Sequence, residues 1–80
     1  MTRWVGKVDI KGPLYAAQRG EITFEESRDQ IVGILKSRAI TKNFAYLNDL
    51  EQAQDADEFD EFLDALYDFA DSRRIWLGPS

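Results

Sequence analysis

Ten carboxylates stand between Asn43 and Ser72 with no Lys or Arg among them: Asp49, Glu51, Asp55, Asp57, Glu58, Asp60, Glu61, Asp64, Asp68 and Asp71. Side chains of this type pass protons when two environments push their pKa values apart, ligate hard cations, or attract basic partners. Proton transfer requires two acids distinguished from the rest. These acids crowd one convex face with too many equivalent neighbours to single out a pair. The chain also has no histidine and no cysteine, so the usual general base and the most reactive nucleophile are both missing. Ser27, Ser37 and Ser72 have no visible activating partner. Gly6, Gly12, Gly20 and Gly33 are isolated, which leaves no phosphate-cradling loop. The expectation is a protein that is not an enzyme and takes no cofactor.

Metal ligation is weighed on spacing. The run Asp55-Ala56-Asp57-Glu58-Phe59-Asp60 opens like a calcium loop. Phe59 then falls where a third oxygen ligand belongs, Asp60 where the sharp turn needs glycine, and Leu66 where a bidentate glutamate closes the site. No specific metal site is expected. Electrostatic attraction is the chemistry that remains.

The element carrying these charges is predicted to be an amphipathic helix beginning at Asp55 or Asp57. At 100° per residue, Asp57, Asp60, Glu61, Asp64, Asp68 and Asp71 fall within an arc of about 100°, and Phe59, Phe62, Leu63, Leu66, Phe69 and Ala70 fill an opposite arc of about 120°. Glu58 lies at one seam and Tyr67 at the other. Asp55 and Glu58 have the spacing of a capping pair. The acids three and four apart repel, at roughly 0.2 to 0.5 kcal/mol per pair. Arg73 and Arg74 follow directly, where the helix dipole favours cations.

Charge is divided along the chain. Residues 1 to 42 hold eight bases and five acids, residues 43 to 72 hold the ten acids alone, and Arg73 and Arg74 close the sequence, for a net charge of −5. An acidic half disfavours direct binding to nucleic acid, because duplex affinity comes largely from cations displacing counterions at phosphates. It seeks a basic protein surface, or the chain's own basic half. The bland reading is a solvated face partly neutralised by lysines and arginines from the first half. The sharper reading is docking on a basic partner through Asp57, Asp60, Glu61, Asp64, Tyr67, Asp68 and Asp71. A third is mimicry of nucleic acid, since seven acids from Asp57 to Asp71 cover about 21 Å, one charge per roughly 3 Å, near the 3.4 Å per phosphate of a single DNA strand.

Eighty residues with 44% hydrophobic content describe one small globular domain, 1–80. A chain this short has a thin core, and aromatics must supply much of it. Alternation over Arg3 to Ile10 predicts a strand that buries Trp4, Val8 and Ile10. Pro13 to Arg19 offers a short helical turn with Gly20 beyond its end. Thr23 with Glu26 forms a capping box for a helix from Phe24 to about Arg38. Gly33 within that helix suggests close packing. Phe44, Leu47 and Leu50 mark a shorter helix ending near Ala53, and Arg73 to Leu77 a closing strand. The expected fold is α+β in the order β-α-α-α-β, with the terminal strands paired, in undetermined direction, and packed against the helices. Trp4 and Trp76 are expected as a cross-strand core pair; if exposed, they and Tyr46 and Tyr67 become interface anchors. No apolar run is long enough to cross a bilayer and no leader opens the chain, so no membrane contact and a cytoplasmic location are expected.

Trp4-Val5-Gly6-Lys7-Val8, Phe24-Glu25-Glu26 followed by Arg28-Asp29-Gln30-Ile31-Val32, Asp57-Glu58-Phe59-Asp60 and Arg74-Ile75-Trp76-Leu77 together resemble small acidic accessory proteins of actinobacterial bacteriophages. The resemblance runs over most of the chain in short pieces. It implies no catalytic residues, a setting in the cytoplasm of an infected bacterial host, and a basic host protein as partner, such as a nucleic-acid-binding one. The mimicry reading would make that partner a nuclease, restriction enzyme or CRISPR effector.

Overall fold

The computed structural model describes residues 4–78, in the order β1 (Gly6–Val8), α1 (Lys11–Gln18), α2 (Phe24–Ser37), α3 (Leu47–Gln52), α4 (Ala56–Ser72) and β2 (Ile75–Leu77). The class is broadly α+β, with four helices in place of the expected three. The additional element is α1, a full helix where the sequence offered one turn. Its first amides are held by Asp9, whose Oδ1 accepts from the Lys11 N–H at 3.0 Å. Pro13 sits at its third position, inside the first turn, where a missing N–H costs no internal bond. Gly20, at φ 77°, ends it: its N–H reaches the Ala17 carbonyl and that of Glu21 the Ala16 carbonyl, a Schellman closure.

Helix α2 forms as its sequence dictates. Thr23 accepts from the Glu26 N–H at 3.1 Å while the Glu26 carboxylate accepts from the Thr23 N–H at 3.2 Å. Ile31, Val32 and Leu35 turn inward. Gly33 is exposed and a Cβ there would meet nothing within 4 Å, so close packing does not explain it. Beyond α2, the fully buried Thr41 donates its hydroxyl to the Leu35 carbonyl at 2.8 Å and satisfies the helix end. Phe44 is buried in the following turn, so α3 begins at Leu47. Arg28 Nη1 donates to the Ala53 carbonyl at 2.7 Å and ties the end of α3 to α2.

The two strands are parallel, with Gly6 opposite Ile75, Lys7 opposite Trp76 and Val8 opposite Leu77. Parallel neighbours need a long crossover, which the four intervening helices supply. Both strands are shorter than the sequence alternation implied, and the expected start at Arg3 lies outside the described residues. Val8 and Ile75 enter one core with Ile10, Ile31, Leu35, Leu50, Phe59, Leu63, Leu66 and Ala70. Gly6 permits a close approach by Ile40, whose Cδ1 would lie 2.6 Å from a Cβ at that position.

Trp4 departs from expectation. A bend at Val5 ends the extended run, and alternation fixes a side only while the chain stays extended. Trp4 therefore meets Trp76 across the pair, edge to face at 5.2 Å, on the outer side of the sheet. The two rings pair as expected but not in the core: Trp4 is 40% and Trp76 37% exposed.

Candidate acidic docking face

Helix α4 starts where its caps require. Asp55 Oδ1 accepts from the Glu58 N–H at 2.8 Å. The Glu58 carboxylate does not return to the cap's own amide but accepts from the Gln54 N–H at 3.2 Å, one residue earlier. Phe59, Leu63, Leu66 and Ala70 are buried, and Phe62 and Phe69 pack half-buried at the side. The apolar and acidic arcs therefore separate as the 3.6-residue period demands.

The structure divides the ten acids into two sets. Glu51 pairs with Lys36, Nζ to Oε2 at 2.7 Å; Asp49 lies in the first turn of α3; Asp55 and Glu58 hold the start of α4. Glu51, Asp55 and Glu58 thus have local partners. Asp57, Asp60, Glu61, Asp64, Asp68 and Asp71 are all exposed, and among the described residues none of them forms an ion pair. Asp57 gains from the positive end of the helix, whereas Asp68 and Asp71 sit at its negative end.

Several of the bases are engaged elsewhere. Arg19 pairs with Glu21, which raises the arginine pKa and lowers that of the glutamate, through their hydrogen bond first and their opposite charges second. Arg28 meets Ala53 and Asp29, and Arg38 donates to the Lys7 carbonyl at 2.7 Å. Arg73, the C-cap residue of α4, lies over the Phe69 ring at 4.6 Å from its centroid, and among the described residues neither it nor Arg74 forms an ion pair with an acid of the stripe. The first half of the chain thus supplies no internal clamp for the stripe among the described residues.

Aromatic side chains border the stripe on both sides. At one seam Tyr67 is half-buried, and its hydroxyl accepts from the Lys11 ammonium at 2.7 Å, a contact no local sequence signal carries. At the other, Tyr46 is 47% exposed and leans on Phe62 and Phe44, each with centroids 5.8 Å away. Beside the last turn of α4, a concavity of about 360 Å³ is lined by Trp4, Tyr67, Asp68, Asp71 and Trp76, among others. Tyr67, Asp68 and Asp71 are brought together there with the two tryptophans. Asp57, Asp60, Glu61 and Asp64 continue the charge along the helix but do not line that hollow.

No group of three or more acids among the described residues converges to hold a metal ion, because a convex helix splays its side chains apart. No helix among the described residues is long and apolar enough to cross a membrane. Comparison with known protein families, with curated proteins and with solved structures gives no match to this chain.

Proposed function

We propose that this protein is a non-enzymatic interaction module whose acidic α4 face docks on a basic protein surface. The observation that carries the reading is the set of six exposed carboxylates with no ion pair among the described residues. Uncompensated like charge along one helix lowers stability. A basic partner relieves that repulsion on binding and is drawn in by long-range attraction, which raises its association rate. The resemblance to phage accessory proteins supplies the setting: the cytoplasm of a bacterial host, with a basic host protein as partner.

The charge spacing supports a second reading. Fourteen helical steps from Asp57 to Asp71 span about 21 Å, so the stripe follows the phosphate spacing of a single nucleic-acid strand. Mimicry is the second reading, and it makes the partner a nucleic-acid-binding protein. The immobilised protein is exposed to host lysate, with and without excess DNA, alongside the triple variant Glu61→Lys, Asp64→Lys, Asp68→Lys. Docking predicts a partner lost in the variant and indifferent to DNA; mimicry predicts one lost in the variant and displaced by DNA. Capture that survives the triple reversal places the contact elsewhere and defeats both readings.

A further inference from the structure

We propose that the side of α4 between its acidic stripe and its buried face is a two-fold interface, covered by a second copy of this chain. The inference goes beyond the acidic-face reading and does not rest on it, because it uses a different side of the helix and shares only Glu61 with the stripe.

Glu58, Phe62, Ala65, Phe69 and Arg73 follow one another at intervals of four, three, four and four residues, so they form one row along α4 and its C-cap. At 100° per residue the row is centred about 120° round the helix from the stripe. Its middle is apolar, and Phe62, Ala65 and Phe69 are each only half-buried. Apolar neighbours widen the row towards both ends. Tyr46, largely exposed, leans on Phe62. Val5, 70% exposed, lines a hollow of about 380 Å³ with Ile40, Phe69 and Arg73. Phe44 joins these two parts from below, with its ring 5.8 Å from that of Tyr46 and 5.2 Å from that of Phe69. Single exposed apolar side chains are ordinary on a protein surface, whereas a contiguous set bordered by charge marks a contact site.

The charges at the two ends select the occupant. Glu58 and Glu61 stand at one end and Arg73 at the other. Glu61 and Arg73 are exposed, and among the described residues neither forms an ion pair. A face that is acidic at one end, basic at the other and apolar between is complementary to itself after a two-fold rotation. With two α4 helices antiparallel and the axis beside Ala65, Phe62 of each copy meets Phe69 of the other. Arg73 of each then falls beside Glu58 and Glu61 of the other, so every favourable contact is made twice. The small side chain of Ala65 lets the helices approach at the crossing, and their antiparallel dipoles attract. A uniformly basic partner is attracted at the glutamate end alone and is repelled by Arg73. Such a partner suits the stripe, which the pairing leaves open on both copies.

Sedimentation velocity from about 1 μM to 1 mM protein measures the association. The expected result is a rise with concentration to twice the mass of one chain and no further. Glu61→Arg and Arg73→Glu each raise the dissociation constant about tenfold or more, because each sets like charges together twice across the axis. The decisive measurement mixes the two variants. One carries arginine at both positions and the other glutamate at both, so the equimolar mixture pairs about as tightly as wild type although neither variant does so alone. The two reversals in a single chain restore pairing as well. Ala65→Glu faces its own copy near the axis, abolishes pairing, and carries the test if circular dichroism shows that either charge variant does not fold. A chain that stays monomeric throughout overturns the proposal, as do assemblies that grow beyond the dimer, which indicate an open head-to-tail contact. Wild-type pairing in Ala65→Glu or in both single reversals, or a mixture that fails to pair, refutes this face as the interface. None of these outcomes bears on capture of a basic partner by the stripe, which the lysate experiment tests separately.

Discussion

Replacing Asp64 with asparagine stabilises the protein if the stripe is uncompensated. Asp64 stands mid-way along α4, away from both ends of the helix dipole, exposed and without an ion pair among the described residues. Asp60, Glu61 and Asp68 lie one turn away on the same face, giving three like-charge contacts. Each costs about 0.2 to 0.5 kcal/mol, so the substitution recovers about 0.6 to 1.5 kcal/mol. Aspartate and asparagine have similar helix propensities and shapes, so little else changes. For a domain of this size the gain corresponds to a rise of roughly 2 to 12 °C in Tm. Thermal melts followed by circular dichroism measure it at about 0.01 M and 1 M salt, where the screening lengths are about 30 Å and 3 Å. The rise appears at low salt and largely vanishes at high salt. A neutral or destabilising Asp64→Asn at low salt means that this carboxylate has a favourable partner, and the case for an outside one fails. A gain independent of salt means that its origin is not charge repulsion.

Two further substitutions test the frame that presents the face. Thr23→Ala removes the hydroxyl half of the α2 capping box and lowers stability by about 1 kcal/mol, read as a lower urea midpoint at unchanged slope. Leu66→Ala empties a fully buried site on the inner face of α4 and costs about 2 to 5 kcal/mol, a large share of the 5 to 15 kcal/mol typical of a domain. A midpoint close to wild type for Leu66→Ala would show that α4 is not docked by this face.

The parts of the fold legible in the sequence are those with local causes. Thr23 and Glu26 need only each other, and Asp55 needs only the amide of Glu58, so the starts of α2 and α4 were written in the residues themselves. The full length of helix α1 is not legible because none of its residues is buried, which leaves no sharp apolar period. The side of Trp4 is not legible from alternation because the chain bends at Val5. Of the candidate site, the stripe was visible as a period. The hollow beside it was not, because Trp4 and Trp76 stand 72 positions apart in the chain, and only the pairing of β1 with β2 joins them.

By itself, then, the sequence determined the two faces of α4 and the caps that start it, because helical period and capping act within a few residues. It also determined that ten acids stand together without a base. Tertiary structure alone decided the parallel direction of the strands and the position of Tyr67 under Lys11. It decided as well which acids have local work and which face solvent. Charge partners are chosen by distance in space, and Lys36 finds Glu51 and Arg73 covers Phe69 only once the helices have packed.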